Sequence, residues 1–393
     1  MAITIRITSG GGCAPSSTTP TAIVFGKPNL QTEPAAPHAL PTTPPGDSKI
    51  CWEDATCAVC GESAATFVIE VKRLIYDRAG SARIVRCRRC GHLYQSPRPT
   101  RETIGVCYPA DYGPHAAAPV ASRSTGDSAA PQTNRPWYLS RSVRGVPGLR
   151  RFYHWLSDRS GSPLPVPPRA GASALELGCG AGGYLDRLRE AGWQVEGVEP
   201  ADAPAARCRD RGLSVRTGGV ETAVLDPESF DLVVAWMVIE HLHDPAAALR
   251  QIRTWLRPGG TLMISVPIVK RWEVATFGSV HYILNEPTHL QHFSRSGIES
   301  VLRDNGFRID SLRYQENLYN HIGAIGIWMR HRFPGRRLGA RLLSFLDDPT
   351  MWGRLALAIP AKLMAALGQT GRATIVASKS MTDMPIRKGR REP

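Results

Sequence analysis

The sequence predicts an α/β protein built on a doubly wound, mostly parallel sheet. Three observations carry that expectation. The run Ala174-Leu-Glu-Leu breaks into the turn Gly178-Cys-Gly-Ala-Gly182, and a helical pattern follows from Tyr184 to Ala191. A short apolar run that enters such a turn and leaves as a helix reads as a buried strand feeding a helix. Next, Trp193-Gln-Val-Glu-Gly-Val-Glu199 reads as a second strand ending in an acid, and Ala201 to Gly212 has helical composition, with Asp202 as the expected N-cap. Finally, Asp231 to Ala235 and Thr261 to Pro267 are apolar, β-branched runs, the second preceded by a Pro258-Gly-Gly260 turn. Strands alternating with helical stretches point to a parallel sheet with helices on both faces.

The glycine turn fixes the expected ligand. A dinucleotide site would read Gly-x-Gly-x-x-Gly and hold a pyrophosphate at the helix N-terminus. Here the glycines alternate at 178, 180 and 182, and Glu176 stands two residues before the first. A carboxylate so placed repels a pyrophosphate and suits a ligand carrying a cationic amine. Glu199 falls about twenty residues beyond the turn, where an acid meets a ribose diol in doubly wound folds. The pattern Glu176-Leu-Gly-Cys-Gly-Ala-Gly182 resembles the first motif of class I S-adenosylmethionine-dependent methyltransferases, in their methyltransferase-23-like subfamily. The resemblance extends through the strand-end acid, a Glu240-His241 and Asp244-Pro245 loop after the third block, and the Pro-Gly-Gly turn. It implies a seven-stranded Rossmann-like methyltransferase sheet with Phe307–Tyr314 and Arg372–Ser378 as its sixth and seventh strands. It also implies S-adenosylmethionine as cofactor, held by Glu176, Gly178, Cys179, Gly180, Gly182, Tyr184, Glu199, Pro200, Trp236 and Met237.

A second constellation precedes this domain. Cys57-Ala-Val-Cys60-Gly61 and Cys87-Arg-Arg-Cys90-Gly91 repeat one form. Two tight Cys-x-x-Cys turns complete a tetrahedral thiolate set for a structural zinc. Disulfides are the competing reading, disfavoured in a reducing compartment. Thr66 to Lys72 and Ala82 to Arg86 read as ribbon strands. His92, next to Cys90, is a substitute ligand; Cys13, Cys51, Cys107 and Cys208 receive no role.

These features divide the 393 residues. Residues 1–49 are rich in Thr, Pro, Ala and Gly and are expected to be disordered. Residues 50–110 form the zinc-ribbon-like module, 111–136 a linker, and 137–166 a helical cover. The methyltransferase-like domain spans 167–380 with a helical insert at 316–370, followed by a basic tail at 381–393. Forty-eight Lys+Arg against 34 Asp+Glu give a formal charge of +14, which either attracts an anionic partner or is a compositional bias. No leader-like pattern or membrane-length apolar run is evident, so the expectation is a cytoplasmic protein. The insert reads as a lid, or as a basic, apolar face in peripheral contact with an anionic membrane.

The acceptor side is expected in the Glu240-His241 loop and in Glu286-Pro-Thr-His289-Leu-Gln-His292-Phe-Ser294. Methyl transfer to a hydroxyl or amine requires loss of a proton, and histidine titrates in the useful range. His241 and His289 are the candidate bases, with Glu240 the alternative; a structural role for each is the competing reading. The resemblance implies a small-molecule or glycan-precursor acceptor, with a quinone-type O-methyltransferase as runner-up. Nucleic acid is not expected: there is no aromatic-rich basic stripe, and Trp236-Met-Val-Ile-Glu240 stands where amino-methylating nucleic-acid enzymes carry Asn-Pro-Pro-Tyr.

Overall fold

The computed structural model describes residues 50–72, 81–108, 162–285, 288–347 and 351–380. The expectations for residues 1–49, the 111–136 linker, most of the helical cover and the basic tail lie outside the described residues. Five short strands come first: β1 (Trp52–Glu53), β2 (Ala65–Lys72), β3 (Ser81–Cys87), β4 (Leu93–Gln95) and β5 (Arg98–Pro99). Then follow β6 (Ser173–Leu177), α1 (Gly183–Glu190), β7 (Gln194–Glu199), α2 (Asp202–Asp210), β8 (Ser214–Thr217), β9 (Phe230–Trp236), α3 (Pro245–Trp255) and β10 (Leu256–Pro267). The chain continues through α4 (Arg271–Phe277), β11 (Gln291–His292), α5 (Arg295–Asp304), β12 (Phe307–Tyr314), α6 (Tyr319–Arg332), α7 (Arg337–Asp347), α8 (Met351–Ala366) and β13 (Arg372–Lys379).

Seven of these strands form one sheet in the order β12-β13-β10-β9-β6-β7-β8, and β13 alone runs antiparallel to its neighbours. This is the doubly wound, seven-stranded Rossmann-like methyltransferase sheet that the sequence led us to expect. The chain winds outward through β6, β7 and β8, then returns to place β9 on the other side of β6. That reversal opens a crevice at the carboxyl ends of β6 and β9.

The apolar runs form central strands because both faces are covered. Leu175, Leu177, Val233, Ala235, Leu262 and Ile264 face one side, against Leu249, Ile252 and Trp255 of α3 and Ile298 and Leu302 of α5. Ala174, Leu232, Val234 and Met263 face the other, against Leu188 of α1 and Trp193. Burial on both faces explains why these strands read as continuous apolar runs. Capping sets the helix starts: Asp244 accepts from Ala247 N at 2.8 Å and Ser294 from Gly297 N at 3.0 Å. At α2 the cap is the extended backbone of Ala201, not Asp202. Asp202 sits one residue inside, where its charge complements the helix dipole.

The small module is not a separate bead. Its sheet has the order β11-β4-β3-β2, and its edge strand β11 comes from beyond β10, with Gln291 opposite Tyr94 and His292 opposite Leu93. Val71, Ala82 and Ile84 share a core with Val269, Ile283 and Leu284 of the larger domain. Residues 162–166, the described end of the expected helical cover, are not helical. Pro163 and Pro165 interrupt any helix there, and their carbonyls instead accept from Tyr184 OH and Trp193 Nε1. The insert forms three helices, α6 to α8. Among the described residues no helix is long and apolar enough to cross a membrane.

Candidate active site

The glycine turn sits at the crevice. Gly178, Gly180 and Gly182 have φ of 66°, 51° and 76°, the left-handed region that glycine enters freely. A Cβ on Gly178 would lie 2.8 Å from Val238 Cγ2, so the Val238 side chain packs directly on the backbone of the turn. Glu199, at the tip of β7, holds the turn open: its Oε2 accepts from Gly180 N at 2.7 Å and its Oε1 from Ala201 N at 3.0 Å.

Glu176 is the complementary case. It is buried at the tip of β6, and its Oε2 has no hydrogen-bond partner among the described residues. Burial pushes its carboxyl well above the usual range, with Cys208 and Glu199 adding to the shift. A buried acid with an unmet oxygen suits a cationic ligand group. Trp236 and Tyr184 line the same end of the sheet, their rings edge to face at 5.2 Å. Met237 follows at φ 56°, a conformation uncommon for a side-chain-bearing residue, with its N–H on Ser265 O at 3.0 Å. Pro200 is exposed just past β7. The Cys179 side chain turns into the core with Leu185, Ala205, Cys208 and Val215, so it offers backbone alone to a ligand. Cys208, given no role from sequence, packs under the turn with its Sγ 3.4 Å from Gly180 O.

The residues that the sequence analysis put on the acceptor side lie together. Glu240 and His241 lie on a single 3-10 turn, Ile239–His241, directly after β9. His289 arrives from the segment beyond β10, and its ring centroid is 4.8 Å from that of His241. His241 Nδ1 is 3.0 Å from Thr288 O, and His289 Nδ1 is 3.1 Å from Ile283 O. Carbonyls only accept, so both imidazoles carry their proton on Nδ1 and present Nε2 as a lone pair. Glu240 is fully buried, and neither carboxylate oxygen has a hydrogen-bond partner among the described residues. Burial raises its pKa to about 8 and lowers that of His241 to about 4; burial, then His241, holds His289 well below its usual value. Tyr108, which sequence reading did not single out, places its hydroxyl 3.2 Å from His241 Nδ1. No local motif marks it, because the contact spans 133 residues.

The module pins this loop. Arg98 Nη1 donates to His243 O at 2.9 Å, and His243 Nε2 donates to Pro99 O at 2.9 Å. Within the module, Cys57, Cys60, Cys87 and Cys90 bring their sulfurs within 4.8 Å of one another. The two knuckles repeat one geometry. Gly61 and Gly91 both have φ of 74°, and their N–H groups reach Cys57 O at 2.8 Å and Cys87 O at 3.1 Å. The closest sulfur pairs are 3.5 Å apart, too far for a disulfide and near the ~3.8 Å between thiolates that share a tetrahedral zinc. His92 points away from the sulfurs, to Gln291, so it is no substitute ligand.

Residues 150–312 match a family model described as a methyltransferase domain. The chain is 29% identical over 170 residues to a probable S-adenosylmethionine-dependent methyltransferase of Mycolicibacterium smegmatis, covering 42% of this chain and 64% of that protein. It is 36% identical to a ubiquinone biosynthesis O-methyltransferase of a Methylobacterium species over 25% of this chain and 42% of the relative. It is 30% identical to a tRNA U34 carboxymethyltransferase of Pseudoalteromonas translucida over 34% and 44%. The chain thus spans less than two thirds of the length of these curated relatives.

Proposed function

We propose that this chain is an S-adenosylmethionine-dependent methyltransferase acting on a small molecule or glycan precursor. One observation carries the reading: two buried acids, Glu176 and Glu199, flank a left-handed glycine turn at the tips of adjacent strands. The methyltransferase-domain match over residues 150–312 supports it. Bound cofactor supplies an electrophilic methyl on a sulfonium whose departure needs no acid.

The chain's own residues then bind and align. Glu176 meets the cofactor's amine and Glu199 its ribose hydroxyls, while the glycine turn admits the ligand close to backbone. Trp236 and Tyr184 form the wall at the tip of β9. Glu240, His241 and His289 face the acceptor; the two Nε2 lone pairs and the carboxylate orient its nucleophilic group and hold its proton. The four thiolates of the module take a structural zinc, since four protein ligands leave no open position for substrate.

A quinone-type O-methyltransferase is the second reading, favoured by the similarity to ubiquinone biosynthesis O-methyltransferases. The deciding experiment has two stages on the full chain. Calorimetry with S-adenosylmethionine tests the cofactor site, where saturable binding is expected and its absence overturns the reading. Labelled methyl transfer to nucleotide sugars, lipid-linked glycans, quinols and RNA then assigns the acceptor. Label in RNA alone would overturn the small-molecule reading.

A further inference from the structure

The trio of Glu240, His241 and His289 has a feature that acid–base work does not require. It turns two imidazole lone pairs and a buried carboxyl group toward one another, with the charge of Arg372 also acting on Glu240 and His289. Both imidazoles give their Nδ1 proton to a backbone carbonyl, Thr288 O at 3.0 Å and Ile283 O at 3.1 Å. Both carboxylate oxygens of Glu240 are buried and lack a hydrogen-bond partner among the described residues. The ligand atoms of the three side chains all lie within 4.8 Å of one another. His241 Nε2 stands 3.9 Å from Glu240 Oε1, beyond hydrogen-bond length but within the span of two ligands on one ion at about 2.1 Å each. Three lone-pair groups converging in a buried place are costly unless a cation joins them. A ring N–H turned onto a carbonyl is also how histidines are oriented for metal ligation.

We propose that Glu240, His241 and His289 form a divalent-cation site, distinct from the cysteine cluster and built from two imidazoles and a carboxylate. Such a set leaves coordination positions open and suits Mn²⁺, Fe²⁺, Co²⁺ or Zn²⁺. On the methyltransferase reading, on which this role rests, the open positions take an acceptor oxygen. Coordination releases the hydroxyl proton to solvent. An oxygen lone pair then forms the bond to the methyl carbon while the carbon–sulfur pair returns to sulfur. The acceptor class is therefore a hydroxyl with a second oxygen nearby, able to chelate.

The test uses the full chain with its cysteine site filled with zinc. Mn²⁺ is titrated and followed by electron paramagnetic resonance, with zinc measured by elemental analysis and S-adenosylmethionine binding by calorimetry. Mn²⁺ favours oxygen and nitrogen donors, so it leaves thiolate-bound zinc in place. The expected result is one Mn²⁺ per chain, weakened at least ~10- to 100-fold in both Glu240→Gln and His289→Ala, with zinc content and cofactor affinity unchanged. No uptake by the parent chain, or equal uptake in both variants, overturns the site. If a variant fails to fold, the Co²⁺ spectrum of the parent chain decides. Visible bands without thiolate charge transfer support the site, and thiolate bands alone overturn it. Cofactor binding without Mn²⁺ sinks only the cation site, and Mn²⁺ binding without cofactor sinks only the methyltransferase reading.

Discussion

His92 Nε2 donates to Gln291 Oε1 at 2.9 Å, although 199 residues separate them. The Gln291 amide passes the contact on, since its Nε2 donates to Leu242 O at 3.2 Å, one residue after His241. His92 in turn supplies the carbonyl that accepts Cys87 N at 2.9 Å. A continuous chain of hydrogen bonds therefore runs from a cysteine knuckle to the acceptor-side loop. In this arrangement the module is a buttress for the site.

Removing the proposed zinc should loosen that buttress and spare the glycine turn. Cys87→Ser, or chelation, is expected to raise amide exchange across 239–243 and 288–293. Loss of two hydrogen bonds at about 1 kcal/mol each corresponds to roughly 10- to 100-fold faster exchange. Exchange across 178–183 and affinity for S-adenosylmethionine should stay unchanged. Unaltered exchange in all three segments would detach the module from the site.

Glu176 should trade stability for binding. Its buried carboxyl has a raised pKa, so the charged form penalises the fold at pH above its usual range. Glu176→Gln is expected to raise the melting temperature of the ligand-free chain at pH 8. It should also weaken cofactor binding by about 10- to 100-fold, the value of a charge-assisted bond of roughly 1.5–3 kcal/mol. A lower melting temperature or an unchanged affinity would contradict the assignment.

Glu273 should set the acid limit. Burial alone would raise its pKa, but the rings of His281 and His321 beside it, with the Lys270 charge, bring it down to about 2. His321 Nε2 lies 3.2 Å from its Oε1, tying α6 to α4. A depressed carboxylate stabilises the fold fully above its unfolded pKa of 4.5 and loses that contribution as pH falls toward 2. The contribution is on the order of 3 kcal/mol. Glu273→Gln should therefore flatten the fall in stability between those values, read by denaturant melts at stepped pH. An identical acid slope in the variant would remove Glu273 from the account.

The insert carries an exposed apolar row. Ile359, Leu363 and Leu367 are 57%, 61% and 71% exposed at four-residue spacing, and the same insert exposes Arg332, Arg336 and Arg337. Binding to vesicles with anionic lipid, weaker at high salt and lost in Leu363→Glu, is the expected outcome of flotation. Equal flotation with neutral lipid, or none with either, would leave the row to another partner or to a lid role.

The sequence by itself determined the sheet and its glycine turn. Strand and helix identities follow from local periodicity, and the left-handed positions at 178, 180 and 182 follow from glycine, because these are nearest-neighbour properties of the backbone. The paired cysteine knuckles were equally legible, since each is closed by residues a few positions apart. Tertiary structure decided the rest. Only packing brings Tyr108 and Thr288 to His241, adds β11 to the module's sheet, and turns Cys179 into the core toward Cys208. Those contacts join segments that are distant in the chain, and their geometry depends on how two cores settle against one another. The Glu240 carboxyl, without a hydrogen-bond partner among the described residues, belongs to the same class: its chemistry is set by burial, which no spacing of residues encodes.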